Sequence, residues 1–140
     1  MPTELTIQAI HQGGMHFIAG DGDHAVSMDY PLKPGEKGAG LTPLRMLLSS
    51  LAVCGGSAVG LLLQRMHQPL TGLTVNARGL RRDEHPTVLT EISLEFVIKG
   101  AVDPAVLAKV LNQCEQQLCP VWHMLKAGTP ITYCFRVVND

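Results

Sequence analysis

The sequence predicts an α+β domain in which one long apolar helix packs against a largely antiparallel sheet. Residues 46–63 carry no charged side chain and lie in the middle of the chain. Apolar and polar residues alternate with a period of two after this run, which is typical of strands with one buried face. Two later segments begin with Asp-Pro or Cys-Pro and then show helical spacing. The expected order is β-β-β-α-β-β-α-α-β.

Length and composition favour one domain, residues 1–140, with its own core. The 11 basic and 12 acidic side chains leave a net charge of −1, so no basic surface for nucleic acid or an anionic membrane is expected. Charged residues make up only 16% of the chain and hydrophobic residues 46%, which favours an apolar surface covered in a homo-oligomer. The first residues show no secretory signal pattern, which predicts a cytoplasmic location with reduced cysteines.

The N-terminal part, residues 1–40, is predicted to be a β-meander. Short apolar runs are separated by glycine-rich turns, and they cover residues 4–9, 14–18 and 24–30. A segment rich in glycine and proline then leads into the long helix.

The central helix is predicted over residues 43–67. Thr42 is placed to cap its N-terminus, Pro43 suits the first turn, and Pro69 prevents continuation. Apolar residues occur on every face, which predicts a helix buried all round. The run reaches the minimum of roughly 18 residues for a membrane span. The serines and glycines within it favour the core helix of a soluble domain, so no membrane partner is expected.

The remaining part, residues 70–140, is predicted to alternate strands and helices. The first strand carries apolar residues at every second position, namely Leu73, Val75 and Ala77. The second strand shows the clearest alternation, with one face formed by Val88, Thr90, Ile92, Leu94, Phe96 and Ile98.

Two helices and a last strand complete this part. A helix begins at Asp103-Pro104 with an apolar stripe made of Leu107, Val110, Leu111, Cys114 and Leu118. A short helix begins at Cys119-Pro120 and runs to about residue 126. The terminal strand carries Ile131, Tyr133, Phe135 and Val137 on one face.

The four cysteines differ in setting. Cys134 is expected to be an ordinary strand residue, and Cys114 a core residue, because free cysteine behaves as a small hydrophobe. Cys119 should occupy the N-cap of the short helix, a position that lowers the pKa of a thiol. His123 follows four residues later and is a candidate cation or base. A reactive thiol and a capping residue are both compatible with this pattern.

Cys54 lies inside the long helix, where a thiol needs a nearby cation to become nucleophilic. Arg45 is about 13 Å away along the helix axis and Arg65 about 16 Å, at the usual rise per residue. An activating charge would therefore have to come from another element or another subunit. The residues alone leave open an inert core cysteine and an active thiol.

The spacing of the thiols does not favour a metal. No C-x-x-C pair occurs in the sequence. A zinc site built from Cys114, Cys119 and His123 would lack an evident fourth ligand. Neither a metal nor another cofactor is predicted.

Several segments together resemble the OsmC/Ohr family, from about residue 24 to the end. They read TPLRMLLSSLAVCGGSAVGLLLQRM, QPLTGLTVNARG, EHPTVLTEISLEFVIKG and QCEQQLCPVWHMLKAGTPITYCFRV. The resemblance is closest to the OsmC-like branch of redox proteins. It implies an intertwined homodimer in which the long helices are wrapped by sheets.

The resemblance also implies a cysteine-based peroxidase of organic hydroperoxides. Cys54 would be the peroxidatic nucleophile, and Cys119 would resolve its sulfenic acid to a disulfide that a dithiol reductant opens. The family's peroxidases hold the thiolate with an N-terminal Arg oriented by a Glu after the helix-starting proline. Here no Arg precedes Arg45, which itself stands where the acid is expected. Arg45 from a partner subunit and His123 are candidate auxiliary groups.

A second reading is a non-catalytic dimeric module. The missing Arg–Glu pair and the apolar long helix favour a protein that holds a small apolar ligand between the central helices. Reactivity of Cys54 distinguishes the two readings.

Overall fold

The computed structural model describes residues 2–139, and its elements follow the predicted order. The elements are β1 (Gln8–Gly13), β2 (His16–Gly20), β3 (Ala25–Met28), α1 (Pro43–Arg65), β4 (Leu70–Arg81), β5 (Leu89–Gly100), α2 (Pro104–Gln113), a π-helical turn (Cys114–Leu118), α3 (Pro120–Lys126) and β6 (Ile131–Val138). The mixture of helices with mainly antiparallel strands confirms the predicted α+β class. The chain divides into two compact units, Met1–Leu47 and Leu48–Asp140. The single-domain organisation stays a prediction, and each unit is described by itself.

The first unit is built on an antiparallel sheet of order β1-β2-β3, as expected of a meander. The expectation of strand structure at residues 4–7 was wrong. Gln8 already pairs with Gly20, the last residue of β2, so the preceding residues meet no partner strand. The loop after β3 is tied back to it, because the Ala39 amide donates to Asp29 Oδ2 at 2.9 Å.

The ends of α1 agree with the sequence signals. The Arg45 amide donates to Thr42 Oγ1 at 3.4 Å, which confirms Thr42 as the capping residue. At the other end His67 takes a left-handed conformation with φ 57°. The Gln68 amide then donates to the Leu63 carbonyl at 2.9 Å, which closes the helix.

The second unit contains a sheet of order β4-β5-β6. β4 and β5 are antiparallel, whereas β6 runs parallel to β5 because two helices connect them. The buried face of β5 is formed by side chains that are at most 2% exposed: Ile92, Leu94, Phe96 and Ile98. This face is the core against which α1 packs.

Two glycines let α1 approach the sheet closely. A Cβ on Gly55 would stand 3.5 Å from Cζ of Phe96, and a Cβ on Gly56 would stand 3.0 Å from Cγ2 of Val75. A Cβ at Gly56 would press against Val75 of β4, whereas a Cβ at Gly55 would make an ordinary contact with Phe96 of β5. The glycines in the middle of α1 therefore set the depth at which the neighbouring Cys54 lies.

The start of β5 differs from the sequence expectation. Val88 was placed on the buried face, but it is 47% exposed, and Thr90 is exposed as well. The register shifts between Leu80 and Arg81, so that Arg81 pairs with Leu89. The extra residue reverses the alternation, and Leu89 takes the buried position instead.

Helix α1 is buried on one side within a single chain. The inward side carries the buried residues Leu51, Gly55, Val59 and Leu63. On the opposite side Val53 is 67% exposed and Leu61 is 48% exposed. Burial on every face is therefore not achieved within one chain, because the sheet covers only one side. Within residues 2–139, α1 is long and apolar enough to cross a membrane by length and composition alone. Its packing against the sheet is that of a core helix.

Helix α2 begins as its sequence predicts. Asp103 caps it by accepting a hydrogen bond from the Ala105 amide at 2.9 Å, and Pro104 follows the cap. Leu107, Leu111 and Cys114 are fully buried along its inner side. Leu118, expected on the same stripe, is 46% exposed.

The π-helical turn explains why Leu118 faces outward. The Cys119 amide donates to the Cys114 carbonyl at 3.1 Å, a hydrogen bond that spans five residues. One extra residue in the turn shifts the helical phase. Cys119 therefore takes the buried position that an α-helix would give to Leu118.

Candidate active site

Cys54 lies near the middle of α1, next to the close contact between Gly55 and the sheet. Its side chain is only partly buried, so a small molecule can reach the sulfur. The next residue meets the aromatic residues of the core, because a Cβ on Gly55 would stand 3.5 Å from Phe96 and 3.9 Å from Trp122. The thiol is thus held at the border between this core and the surface.

Cys119 lies at the N-cap of α3 and is fully buried. A side-chain hydrogen bond with Cys54 is one cause of the raised pKa of Cys119, which makes the two thiols neighbours. The structure therefore brings together two cysteines that are far apart in the sequence. This contact forms inside the second unit, between the middle of α1 and the start of α3.

The pKa of Cys119 does not follow the sequence expectation. Burial, assisted by the hydrogen bond to Cys54, raises the pKa of Cys119 from 9.0 to about 12. The amide of Trp122 acts in the opposite direction but is outweighed. The prediction that the helix N-terminus lowers the pKa of this thiol was wrong. Burial destabilises the thiolate by more than the N-terminus of a short helix stabilises it. Cys119 keeps its proton at neutral pH and is the donor to Cys54.

Cys114 is a third thiol at the same place. It is fully buried, as predicted for a core residue. Burial, together with charge on Cys54, raises the pKa of Cys114 from 9.0 to about 11. Charge on Cys114 also contributes to the raised pKa of Cys119. The sequence pattern gave Cys114 no role beside the other two thiols, because a C-x₄-C spacing has no characteristic meaning in a regular helix.

Three aromatic rings pack against one another next to this thiol cluster. Phe96 and Trp122 are stacked with centroids 6.1 Å apart, and Trp122 meets Tyr133 edge-on at 5.5 Å. Among the described residues, Nε1 of Trp122 is the one buried side-chain nitrogen or oxygen with no hydrogen-bond partner. Burial, together with the charges of Glu115 and Cys114, raises the pKa of Tyr133, so this hydroxyl stays neutral. The rings keep water away from the inner side of the thiols.

The two candidate auxiliary residues, His123 and Arg45, are both exposed. The His123 side chain is exposed on α3, while its amide donates to the Cys119 carbonyl at 2.9 Å. Arg45 occupies an exposed position in the first turn of α1 and belongs to the first unit. Cys134 is exposed on β6, opposite Glu95, as expected of an ordinary strand residue.

The described residues contain no group of three or more His, Cys, Asp or Glu side chains arranged to hold a metal ion. The chemistry that this geometry offers is that of thiols. Cys54 is partly exposed, and its thiol lies beside the buried, protonated thiol of Cys119. Two sulfurs in hydrogen-bond contact need little movement to form a disulfide.

Comparison with known proteins identifies the family of this chain. The model of the family described as OsmC-like protein matches residues 35–133. Protein YhfA of Escherichia coli (strain K12) is 29% identical over 98 residues, which cover 69% of this chain and 73% of that protein.

Solved structures share the fold at lower identity. A hypothetical protein from Aquifex aeolicus VF5 superimposes with a TM-score of 0.88 at 22% identity, over 99% of both chains. An organic hydroperoxide resistance protein OsmC from Legionella pneumophila superimposes with a TM-score of 0.69 at 17% identity, over 96% of this chain and 98% of that chain. Because the family match spans most of the chain, the protein belongs to the OsmC-like protein family.

Proposed function

We propose that the protein is a cysteine-based peroxidase that reduces organic hydroperoxides, with Cys54 as the nucleophile and Cys119 as the resolving thiol. The observation that carries this proposal is the hydrogen bond from the Cys119 thiol to the Cys54 thiol. It supplies Cys54 with a donor without any cation from α1 itself. It also keeps the second sulfur in contact before the reaction begins.

The reaction has three steps that balance in atoms and electrons. The Cys54 thiolate attacks the outer oxygen of the hydroperoxide, the O–O bond breaks, and an alcohol leaves after taking a proton. Cys54 is then a sulfenic acid. The Cys119 sulfur attacks the Cys54 sulfur, and water leaves with the proton of Cys119. A dithiol reductant opens the disulfide by thiol–disulfide exchange and becomes a disulfide itself.

The surroundings support an organic rather than an inorganic substrate. The exposed side of α1 forms an open apolar groove with β4, lined by Ala52, Val53, Gly56, Ser57, Leu73 and Val75 but not by Cys54 itself. Such a surface favours a hydrocarbon chain over hydrogen peroxide. The Legionella pneumophila relative of this fold is itself described as an organic hydroperoxide resistance protein.

We also propose that the protein acts as a homodimer in the cytoplasm. Large apolar side chains remain exposed within each unit, such as Ile10 and Val26 in the first and Val53 and Leu61 in the second. Apolar surface of this extent is usual at an interface between subunits. All four cysteines are free thiols, which fits a reducing compartment.

One oxidation experiment tests the peroxidase. The reduced protein is treated with one equivalent of cumene hydroperoxide, alkylated and digested with trypsin. After a second digestion with a glutamate-specific protease, which cleaves after Glu115, we expect the peptide of residues 46–65, which holds Cys54, to be linked to the peptide of residues 116–126, which holds Cys119 but not Cys114. The same treatment of Cys134→Ser is the control, because that thiol is exposed and takes no part in the proposed reaction. Free thiols at both Cys54 and Cys119 after treatment would overturn the proposal.

The second candidate is a dimeric binding module that holds a small apolar ligand between the central helices. The observation that favours it is the exposed apolar side of α1, where Val53 is 67% exposed. It predicts a co-purified ligand by native mass spectrometry and a Cys54 that does not react with hydroperoxide. A ligand bound to a protein whose Cys54 also turns over peroxide would point to a substrate-like molecule in the peroxidase.

A further inference from the structure

We propose that Cys114 is a third redox-active cysteine of this site, which takes over the bond to Cys119 from Cys54 by thiol–disulfide exchange. The inference rests on the proposed function, because the Cys54–Cys119 disulfide is the species that Cys114 attacks. It assigns a chemical role to a buried thiol that the peroxidase reaction does not use.

The π-helical turn places Cys114 and Cys119 at its two ends. The Cys119 amide donates to the Cys114 carbonyl at 3.1 Å, so the two backbones meet across one turn. A disulfide joins residues whose Cα atoms are roughly 4.4–6.8 Å apart, so it can form only between close neighbours of this kind.

Both side chains point to the same interior. Cys114 and Cys119 are fully buried, although Leu118 between them is 46% exposed. A regular α-helix would have placed Leu118 there instead. Cys119 has φ −98° and ψ 103°, so it has left the helix, and its side chain can turn towards either neighbour.

Cys119 is a neighbour of both other thiols of the cluster. It is hydrogen-bonded to Cys54, and its pKa also responds to charge on Cys114. Thiol–disulfide exchange passes through an arrangement in which the attacked sulfur lies between the entering and the leaving sulfur. Cys54 and Cys114 both raise the pKa of Cys119, so both thiols lie near the sulfur that the exchange attacks.

The exchange needs no outside oxidant or reductant. The Cys114 thiolate attacks Sγ of Cys119, a Cys114–Cys119 bond forms, and the bond from Cys119 to Cys54 breaks. Cys54 leaves as a thiolate and takes up the proton that Cys114 lost. The oxidised pair moves inside the core, while Cys54 becomes a free thiol again.

The rate should depend on pH, because only the thiolate attacks. The pKa of Cys114 is about 11, so it is almost fully protonated at neutral pH. Below that value each unit of pH raises the thiolate fraction about tenfold, and the exchange should accelerate accordingly. At neutral pH the exchange is therefore slower than reduction of the disulfide by the dithiol. It becomes the faster reaction when little dithiol reductant is present.

The test follows disulfide positions over time. The full-length protein is oxidised in two arms, one with cumene hydroperoxide and one with diamide, which oxidises thiol pairs without peroxide chemistry. Samples taken at pH 7 and pH 9 are quenched in acid, alkylated and digested with trypsin and a glutamate-specific protease. Cleavage after Glu115 separates Cys114 from Cys119, so their disulfide appears as two linked peptides.

We expect the Cys54–Cys119 disulfide first and the Cys114–Cys119 disulfide later, about 100-fold faster at pH 9 than at pH 7. Cys54 should regain an alkylatable thiol without added reductant. In Cys114→Ala the first disulfide should form normally and Cys54 should stay bonded. Cys134→Ser should behave as the wild type.

The outcomes separate the two proposals. A Cys119 disulfide in the diamide arm but none in the peroxide arm would overturn the peroxidase and leave the exchange to be judged in the diamide arm. A persistent Cys54–Cys119 disulfide with Cys114 still free, or a Cys54–Cys114 disulfide, would overturn the exchange alone. No Cys119 disulfide in either arm would overturn both.

Discussion

The thiol of Cys119, at the N-cap of α3, is a neighbour of the thiol of Cys54 in the middle of α1, and a hydrogen bond with Cys54 helps to raise the pKa of Cys119. Cys119 is the fully buried partner and Cys54 the partly exposed one. Cys54 is therefore the more accessible of the two thiols. This difference in exposure is what the proposed roles of nucleophile and resolving thiol require.

Removal of the buried partner should stop the reaction at the sulfenic acid. In Cys119→Ser, Cys54 has no sulfur in contact with which to form a disulfide. We expect one equivalent of cumene hydroperoxide to produce a dimedone adduct on Cys54, and no loss of 2 Da from the intact mass. Cys54→Ser, which removes the nucleophile, should give neither product. A disulfide between Cys54 and another residue in Cys119→Ser would contradict the assignment of Cys119.

Two adjacent glycines in α1 should respond differently to alanine. Gly55→Ala adds a Cβ at 3.5 Å from Phe96, an ordinary contact, whereas Gly56→Ala adds one at 3.0 Å from Val75. Alanine favours a helix over glycine by about 1 kcal/mol. We expect Gly55→Ala to raise the free energy of unfolding by up to that amount, and Gly56→Ala to gain less or to lose stability. Urea unfolding at one fixed protein concentration measures both, and a larger gain for Gly56→Ala would contradict the packing.

Stability should fall at high pH because of the buried thiols. Burial raises the pKa of Cys114 from 9.0 to about 11 and that of Cys119 to about 12. The folded protein therefore holds these protons more tightly than the unfolded chain. Their contribution is complete below pH 9 and is lost between pH 9 and 12, with a slope of at most about 1.4 kcal/mol per pH unit for each thiol.

Cys114→Ala isolates one of the two contributions to that slope. The free energy of unfolding of this variant should decrease less steeply above pH 9 than that of the wild type, by at most about 1.4 kcal/mol per pH unit. Urea unfolding followed by the fluorescence of Trp122, the one tryptophan in the sequence, gives both curves. Cys134→Ser, an exposed thiol, should leave the slope unchanged. Identical slopes for wild type and Cys114→Ala would contradict the raised pKa of Cys114.

Trp122 should tolerate phenylalanine far better than alanine. Its Nε1 is buried without a partner, and an unpaired buried donor costs about 1–3 kcal/mol. Trp122→Phe removes that donor and keeps a ring beside Phe96, so we expect a loss of less than about 2 kcal/mol. Trp122→Ala leaves a cavity and should cost about 3–5 kcal/mol. Far-ultraviolet circular dichroism during urea unfolding compares them, and equal losses would show that the indole nitrogen is not unpaired.

The sequence predicts the order of elements because each one carries a local signal. Thr42 and Pro43 mark the start of α1, and Asp103 and Pro104 mark the start of α2. The apolar face of β5 is also predicted from residue 92 onward. These features depend on neighbouring residues only, which a single sequence displays directly.

The phase errors have a different origin. Val88 and Leu118 were both placed in the core, and both are exposed because one extra residue enters the chain, in a strand bulge and in a π-helical turn. Strict periodicity cannot reveal such insertions. The contact between Cys54 and Cys119 was also beyond local signals, since it depends on how α1 and α3 pack. The family resemblance named the pair, and the structure supplied the hydrogen bond.

The π-helical turn makes the position of the Cys119 thiol depend on the number of residues in the turn. A deletion of Gln116 or Gln117 would restore a regular α-helical turn. Cys119 would stay inward, and its amide would still donate to the Cys114 carbonyl. Substitution of those residues would change only an exposed surface. An insertion would rotate another side chain into the interior and turn the second thiol towards solvent. The number of residues between Cys114 and Cys119 thus decides whether the Cys119 sulfur faces Cys54.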